Sequence, residues 1–144
     1  MRTGEIRPGV AAVIRDEEGR VLLHRRPLGG LWAPPSGKMR FGEDLLTALH
    51  RELAEETGLT VAVERLVGIY SDPTYQIVDD PQRRRVHYVT ALFACRLVGG
   101  SLQGSEEGLE WDWFLPLDLP EDLTPYAAVW LRDALADAPG LHLR

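Results

Sequence analysis

Apolar positions along this chain follow two rhythms, one short and nearly continuous, the other stepped by three and four. Residues 10–15 (VAAVIR) and 20–25 (RVLLHR) are compact apolar runs on either side of Asp16-Glu17-Glu18-Gly19, which has the composition of a hairpin turn. Residues 31–33 predict a third, short strand, entered through Gly29-Gly30 and ended by Pro34-Pro35. Two prolines and a serine cannot continue a sheet interior, so a loop is expected there. Residues 61–70 alternate loosely and predict a strand that ends at the turn signature Ser71-Asp72-Pro73. Beyond a polar, basic stretch at 80–85, residues 86–98 predict a long strand rich in β-branched and aromatic side chains, closed by Gly99-Gly100. Residues 109–114 alternate aromatic and acidic side chains and predict one more.

The stepped rhythm marks two helices. Over residues 44–57, Leu45, Leu46, Leu49 and Leu53 fall on one stripe, Gly42 and the acids behind it suit a helix start, and Gly58 is a natural left-handed stop. Residues 123–136 predict a closing amphipathic helix with Trp130 and Leu131 facing inward. Two helices against a mixed sheet of short strands predict an α/β sandwich.

Composition narrows this picture without changing it. A length of 144 residues points to one domain, residues 1–144, and 44% hydrophobic with 26% charged content is ordinary for a globular chain. No apolar stretch reaches the length of a membrane span and residues 1–20 carry no signal-peptide pattern, so a cytoplasmic protein without membrane contact is expected. The single cysteine, Cys95, excludes an internal disulfide and is expected to pack in a strand. A net charge of −6 argues against nucleic-acid binding, which needs a basic face.

The chemistry concentrates on the first helix. Glu52, Glu55 and Glu56 stand at i, i+3 and i+4, so three carboxylates crowd one face. Like charges at this spacing repel by a few tenths of a kcal/mol per pair, roughly, unless something offsets them. A hard divalent cation would do so, since Mg²⁺ and Mn²⁺ take oxygen ligands. Arg51 is placed to hold the carboxylates in register and to pair with Glu43. Taken alone, such a run is more often a solvated acidic face. Arg25, Arg26 and Arg84 are candidate phosphate contacts through their forked donors, although adjacent arginines in a strand point to opposite faces.

The complete spacing decides between these readings. Gly37-x5-Glu43-x7-Arg51-Glu52-Leu53-x-Glu55-Glu56-x-Gly58-Leu59 resembles the signature of the Nudix hydrolases, which cleave nucleoside diphosphates linked to another group. The resemblance implies a Nudix-type α/β/α sandwich with a mixed sheet between helices. It implies a pyrophosphohydrolase using Mg²⁺, with Mn²⁺ as a substitute, and a small-molecule nucleotide as substrate. Homodimers occur among such relatives. It makes Glu52, Glu55 and Glu56 metal ligands and catalytic groups, with Arg51 orienting them and Glu43 near the substrate. The Gly37 carbonyl is expected to join the metal shell. A further glutamate past the box often serves as ligand or base, which points to Glu107, with Glu106 as the alternative. Many members carry a second glycine and a later glutamate where this chain has Ser36 and Arg40.

Substrate markers conflict. Pro73 lies 15 residues past Gly58, a placement associated in the family with ADP-ribose and ADP-sugars. Tyr75 lies 16 past Leu59, a placement associated with dinucleoside polyphosphates. ADP-ribose or an ADP-sugar ranks first, a nucleoside triphosphate (oxidised ones included) second, a dinucleoside polyphosphate next. A ligand-binding module without activity is the reading from a different class; its usual mark is a decayed box, and every fixed position is present here.

Overall fold

The two long apolar strands become the middle of an eight-stranded mixed sheet. In the computed structural model, which describes residues 4–25, 30–79, 84–103, 109–137 and 140–144, β1 (Glu5–Arg15) runs parallel to β6 (Arg85–Gly100), in register from Glu5↔Val86 to Arg15↔Arg96. Outward from this pair the order is β7-β2-β1-β6-β4-β8. β2 (Val21–Arg25) and β7 (Glu110–Phe114) pair antiparallel on one side. β4 (Leu59–Tyr70) is antiparallel to β6 with three register shifts, and β8 (His142–Leu143) adds in parallel at its far edge. The strands β3 (Ser36–Lys38) and β5 (Ile77–Asp79) pair with β1 and β6. Helices α1 (Leu45–Thr57), α2 (Pro73–Gln76) and α3 (Pro125–Ala134) complete the chain.

Each sheet face carries its own core. Val10, Ala12, Ile14 and Leu22 lie with Ala48, Leu49 and Leu53 of α1, while Ala11, Val13, Val21 and Leu23 lie with Trp130 and Leu131 of α3. This is the period-2 alternation of β1 and β2 made physical: one strand feeds both layers. Each fully buried Leu contributes about 1.5–3 kcal/mol. Cys95 sits in the α1-side core, where burial pushes its thiol up to about 12. Among the described residues no helix is long and apolar enough to cross a membrane.

Several expectations are corrected. The segment after Pro34-Pro35 is not a loop. β1 and β2 meet only at Arg15↔Val21, and the chain from Ala33 to Lys38 fills the gap between them. Ala33 and His24 exchange backbone hydrogen bonds, and the Pro35 carbonyl accepts from the Ala12 amide. A proline lacks a donor but keeps its acceptor, which is all this position requires. On α1, Leu45 and Leu46 are exposed; the buried positions are Ala48, Leu49, Leu53 and Thr57. The cap is Asp44, one of the acids expected behind Gly42, and its carboxylate accepts from the Thr47 amide. Gly58 stops the helix as expected, at φ +74°. The predicted turn at 71–73 continues into one helical turn, because the Asp72 carboxylate caps the Thr74 amide. That turn buries Gln76, which bonds the Trp130 indole, the Tyr88 carbonyl and the Thr90 hydroxyl.

α3 ends on a buried acid. Asp133, 3% exposed, accepts from the Tyr70 hydroxyl at 2.8 Å and from two nitrogens of Arg144 at 2.7 and 3.0 Å. Arg132 and His142 lie within 3.8 Å. Burial alone pushes the carboxyl up, but the Arg144 guanidinium and the Tyr70 hydroxyl outweigh it and hold it below its ordinary 3.8. A carboxyl whose folded value is depressed stabilises the fold above its unfolded value, and that contribution is lost as pH falls through the folded one. Asp133→Asn is therefore expected to destabilise the protein by about 2 kcal/mol at neutral pH. In urea unfolding the gap between variant and parent should shrink below pH ~4; a gap independent of pH would contradict this account.

Candidate active site

The acidic ridge of α1 is assembled against β3. Pairing with β1 places Gly37 opposite Val10, and this puts its Cα directly under the side chain of Glu52. A β-carbon at Gly37 would overlap the Glu52 carboxyl group. Only glycine leaves room for the two elements to meet here.

Arg51 ties the site together. Its Nε and Nη2 donate to the Glu43 carboxylate at 2.5 and 2.9 Å, Nη2 also donates to the Lys38 carbonyl at 2.8 Å, and Nη1 donates to Glu52 at 3.0 Å and Glu55 at 3.3 Å. Five hydrogen bonds use all five N–H donors of a guanidinium. The pairing is also half-sheltered, with 16% of the Arg51 side chain and 13% of Glu43 exposed. The hydrogen bond from Arg51, against the opposing effect of burial and with help from the Arg40 amide, holds the Glu43 carboxyl down at about 2. The same bond, followed by the opposing desolvation, raises Arg51 further.

The expected pairing of Glu43 with Arg51 is present, through both carboxylate oxygens. One of them also accepts from the Arg40 amide at 2.7 Å, so Glu43 fixes the 38–43 loop. Glu52 and Glu55 share one nitrogen of Arg51, and Glu56 lies half-buried on the next step of the same ridge.

Among the described residues, no three His, Cys, Asp or Glu side chains converge as a ready-made metal cluster. Glu52 and Glu55 are instead turned toward guanidinium groups. The donor set nevertheless fits a hard cation: carboxylates along one helical edge, with a backbone that admits no side chain pressed against the first of them.

This geometry belongs to a known pattern. The profile of the NUDIX domain matches residues 5–134. The chain belongs to the Nudix family. A MutT-like protein of Streptomyces ambofaciens is 35% identical over 94% of this chain and 80% of its own length. An ADP-ribose pyrophosphatase of Methanocaldococcus jannaschii is 33% identical over 81% of this chain and 67% of its own. In fold, the chain is similar to the crystal structure of an ADP-ribose pyrophosphatase from Streptococcus suis, with a TM-score of 0.70 at 23% identity over 96% of this chain and 98% of that one. The protein is a Nudix pyrophosphohydrolase.

Not every candidate is gathered at the Nudix ridge. Arg25 shares the sheet face of Val21 and Leu23; it pairs with Glu110 at 2.8 Å and lies 4.9 Å from the Trp32 ring centre. The structure does not bring it to the carboxylates. Arg84 is exposed at the start of β6. Arg26, Glu106 and Glu107 lie outside the described residues. Pro73 opens α2, and Tyr75 packs against the α3-side core. Two contacts went unforeseen: the Arg51 bond to the Lys38 carbonyl, which leaves no side-chain signal, and the Arg40 Nη1 contact with Glu55 at 3.5 Å.

Gly37→Ala tests the contact between β3 and α1. The methyl group must displace Glu52, and a shift on the order of 1 Å at a reacting site reduces turnover by roughly 100-fold. Thermal unfolding of the variant should stay cooperative while its hydrolytic turnover drops; undiminished turnover would mean that Glu52 has no fixed place in the reaction.

Proposed function

We propose that the protein hydrolyses the diphosphate linkage of ADP-ribose or an ADP-sugar with the aid of a divalent cation, Mg²⁺ or in its place Mn²⁺. The observation that carries this reading is the Gly37–Glu52 contact, with Glu52 and Glu55 gathered on one nitrogen of Arg51. The substrate class is favoured by the 33% identity to an ADP-ribose pyrophosphatase and by Pro73. Tyr75, the marker for dinucleoside polyphosphates, is half-buried against the core, which weighs against its use as a contact.

In this reading Glu52, Glu55 and Glu56, with the Gly37 carbonyl, hold the cation. Glu107, or Glu106, is kept as a further ligand or base. What the cation supplies when bound is neutralisation of the phosphate charge and a lower pKa for the attacking water. The remaining work falls to the chain. Water adds to one phosphorus of the linkage, the P–O–P bond breaks, and its proton passes to a glutamate of the ridge, Glu52 or Glu56. For ADP-ribose the products are AMP and a sugar phosphate. Arg51 takes no proton; it keeps the 38–43 loop and the helix in register through its five bonds. Hydrogen-bonded on all sides, it has no donor left for a substrate.

Glu55→Gln and Glu56→Gln, each folded, are expected to lower turnover of ADP-ribose by at least about two orders of magnitude. Chelation of divalent cations should abolish parent activity and added Mg²⁺ or Mn²⁺ restore it. The assay is release of the nucleoside monophosphate across a panel of ADP-ribose, ADP-sugars, dinucleoside polyphosphates and nucleoside triphosphates. Parent-like turnover by either variant sinks the ridge assignment, and a preference for triphosphates sinks the substrate assignment.

A further inference from the structure

Arg51 and Arg40 both touch the carboxylate ridge, and they are held in opposite ways. Arg51 is sheltered and saturated, with every N–H donor used inside the protein. It cannot meet a phosphate without releasing the loop. Arg40 is anchored only through its backbone: its amide donates to Glu43 at 2.7 Å and its carbonyl accepts from the Glu43 amide at 3.1 Å. Its side chain is 62% exposed, and among the described residues it makes a single contact, at 3.5 Å to Glu55.

A long, exposed ion pair of this kind contributes little to stability, so the guanidinium leaves it at small cost. Phosphate is the better partner, because two oxygens of one group match the planar fork. The base of the arm is rigid, its tip is loose, and its resting place is an oxygen of the ridge itself. Arg25, by contrast, is engaged with Glu110 at 2.8 Å and with the Trp32 ring.

We propose that Arg40 is a substrate-binding residue: its guanidinium leaves Glu55 and clamps non-bridging oxygens of the diphosphate held over the ridge. This rests on the diphosphate-hydrolase reading above. In the resting enzyme the same arm occupies Glu55, and so it competes with any cation for that carboxylate. Substrate binding removes the competitor. Arg40 thus couples the arrival of the anion to the freeing of a cation ligand.

The test compares the parent protein with Arg40→Ala and Arg40→Lys, using ADP-ribose at saturating Mg²⁺, together with Mn²⁺ titration by paramagnetic resonance in the absence of substrate. Arg40→Ala is expected to raise KM roughly tenfold, the loss of about one charge-assisted hydrogen bond, with kcat within about twofold of the parent. Arg40→Lys should fall between the two, retaining the charge but not the fork. Mn²⁺ should bind Arg40→Ala at least as tightly as it binds the parent. An unchanged KM overturns the proposal, as does a fall in kcat alone. Weaker Mn²⁺ binding by the alanine variant also overturns it, because Arg40 would then be a support of the ridge. A parent protein inactive on ADP-ribose but active on another member of the panel carries the same comparison with that substrate. A parent protein inactive on every diphosphate tested overturns the function itself, whatever Arg40 does.

Discussion

The site depends on one side chain that bridges the first long helix and the loop before it. Arg51 leaves α1 and reaches both the carboxylate that ends the 38–43 loop and the carbonyl of Lys38 that begins it. With the loop closed at both ends on one planar group, its shape follows from the position of the helix. The helix in turn is set by Leu49 and Leu53 in the core beneath. A guanidinium suits this task because its donors lie in one plane at fixed angles, whereas an ammonium would supply charge without direction. The repulsion among Glu52, Glu55 and Glu56 is partly offset by the same group, so the ridge can persist in the folded chain before any cation arrives.

The sheet explains why the loop lies where it does. β1 and β2 separate after a single paired position, and residues 33–38 enter the opening. That insertion carries Gly37 to the α1 side of the sheet, where the helix packs. A continuous hairpin would have closed the opening and left the ridge facing a wall of strand side chains. The divergence of two neighbouring strands is therefore what creates the site, and α3 on the other face has no share in it.

Much of this was legible in the residues. The strands at 10–15, 20–25 and 86–98, both long helices and the left-handed stop at Gly58 all follow from periodicity and turn chemistry. The acidic ridge was legible because its spacing is complete over 23 residues. What escaped did so for identifiable reasons. β3 follows two prolines, and its pairing depends on a partner far away in the chain. Leu45 and Leu46 fit the helical stripe, yet the periodicity cannot tell where the supporting sheet ends. The pairing of Arg25 with Glu110 beside Trp32 was not legible, because composition does not name a strand's neighbours. The Arg51–Glu43 pair was legible from its spacing, whereas the bond from the Arg40 amide that fixes the loop was not, because a backbone contact leaves no trace in residue identity.

The short strand β8 has a consequence for how these molecules can meet. Its two residues lie along β4 at Gly68 and Ile69, the Arg144 amide and carbonyl bond Ile69 and Ser71, and the Arg144 side chain reaches Asp133. At this place the outer rim of the sheet is already occupied from within the same molecule. A neighbouring chain seeking to extend the sheet there would have to peel away an anchored arginine first, so self-association by strand addition along that rim is obstructed.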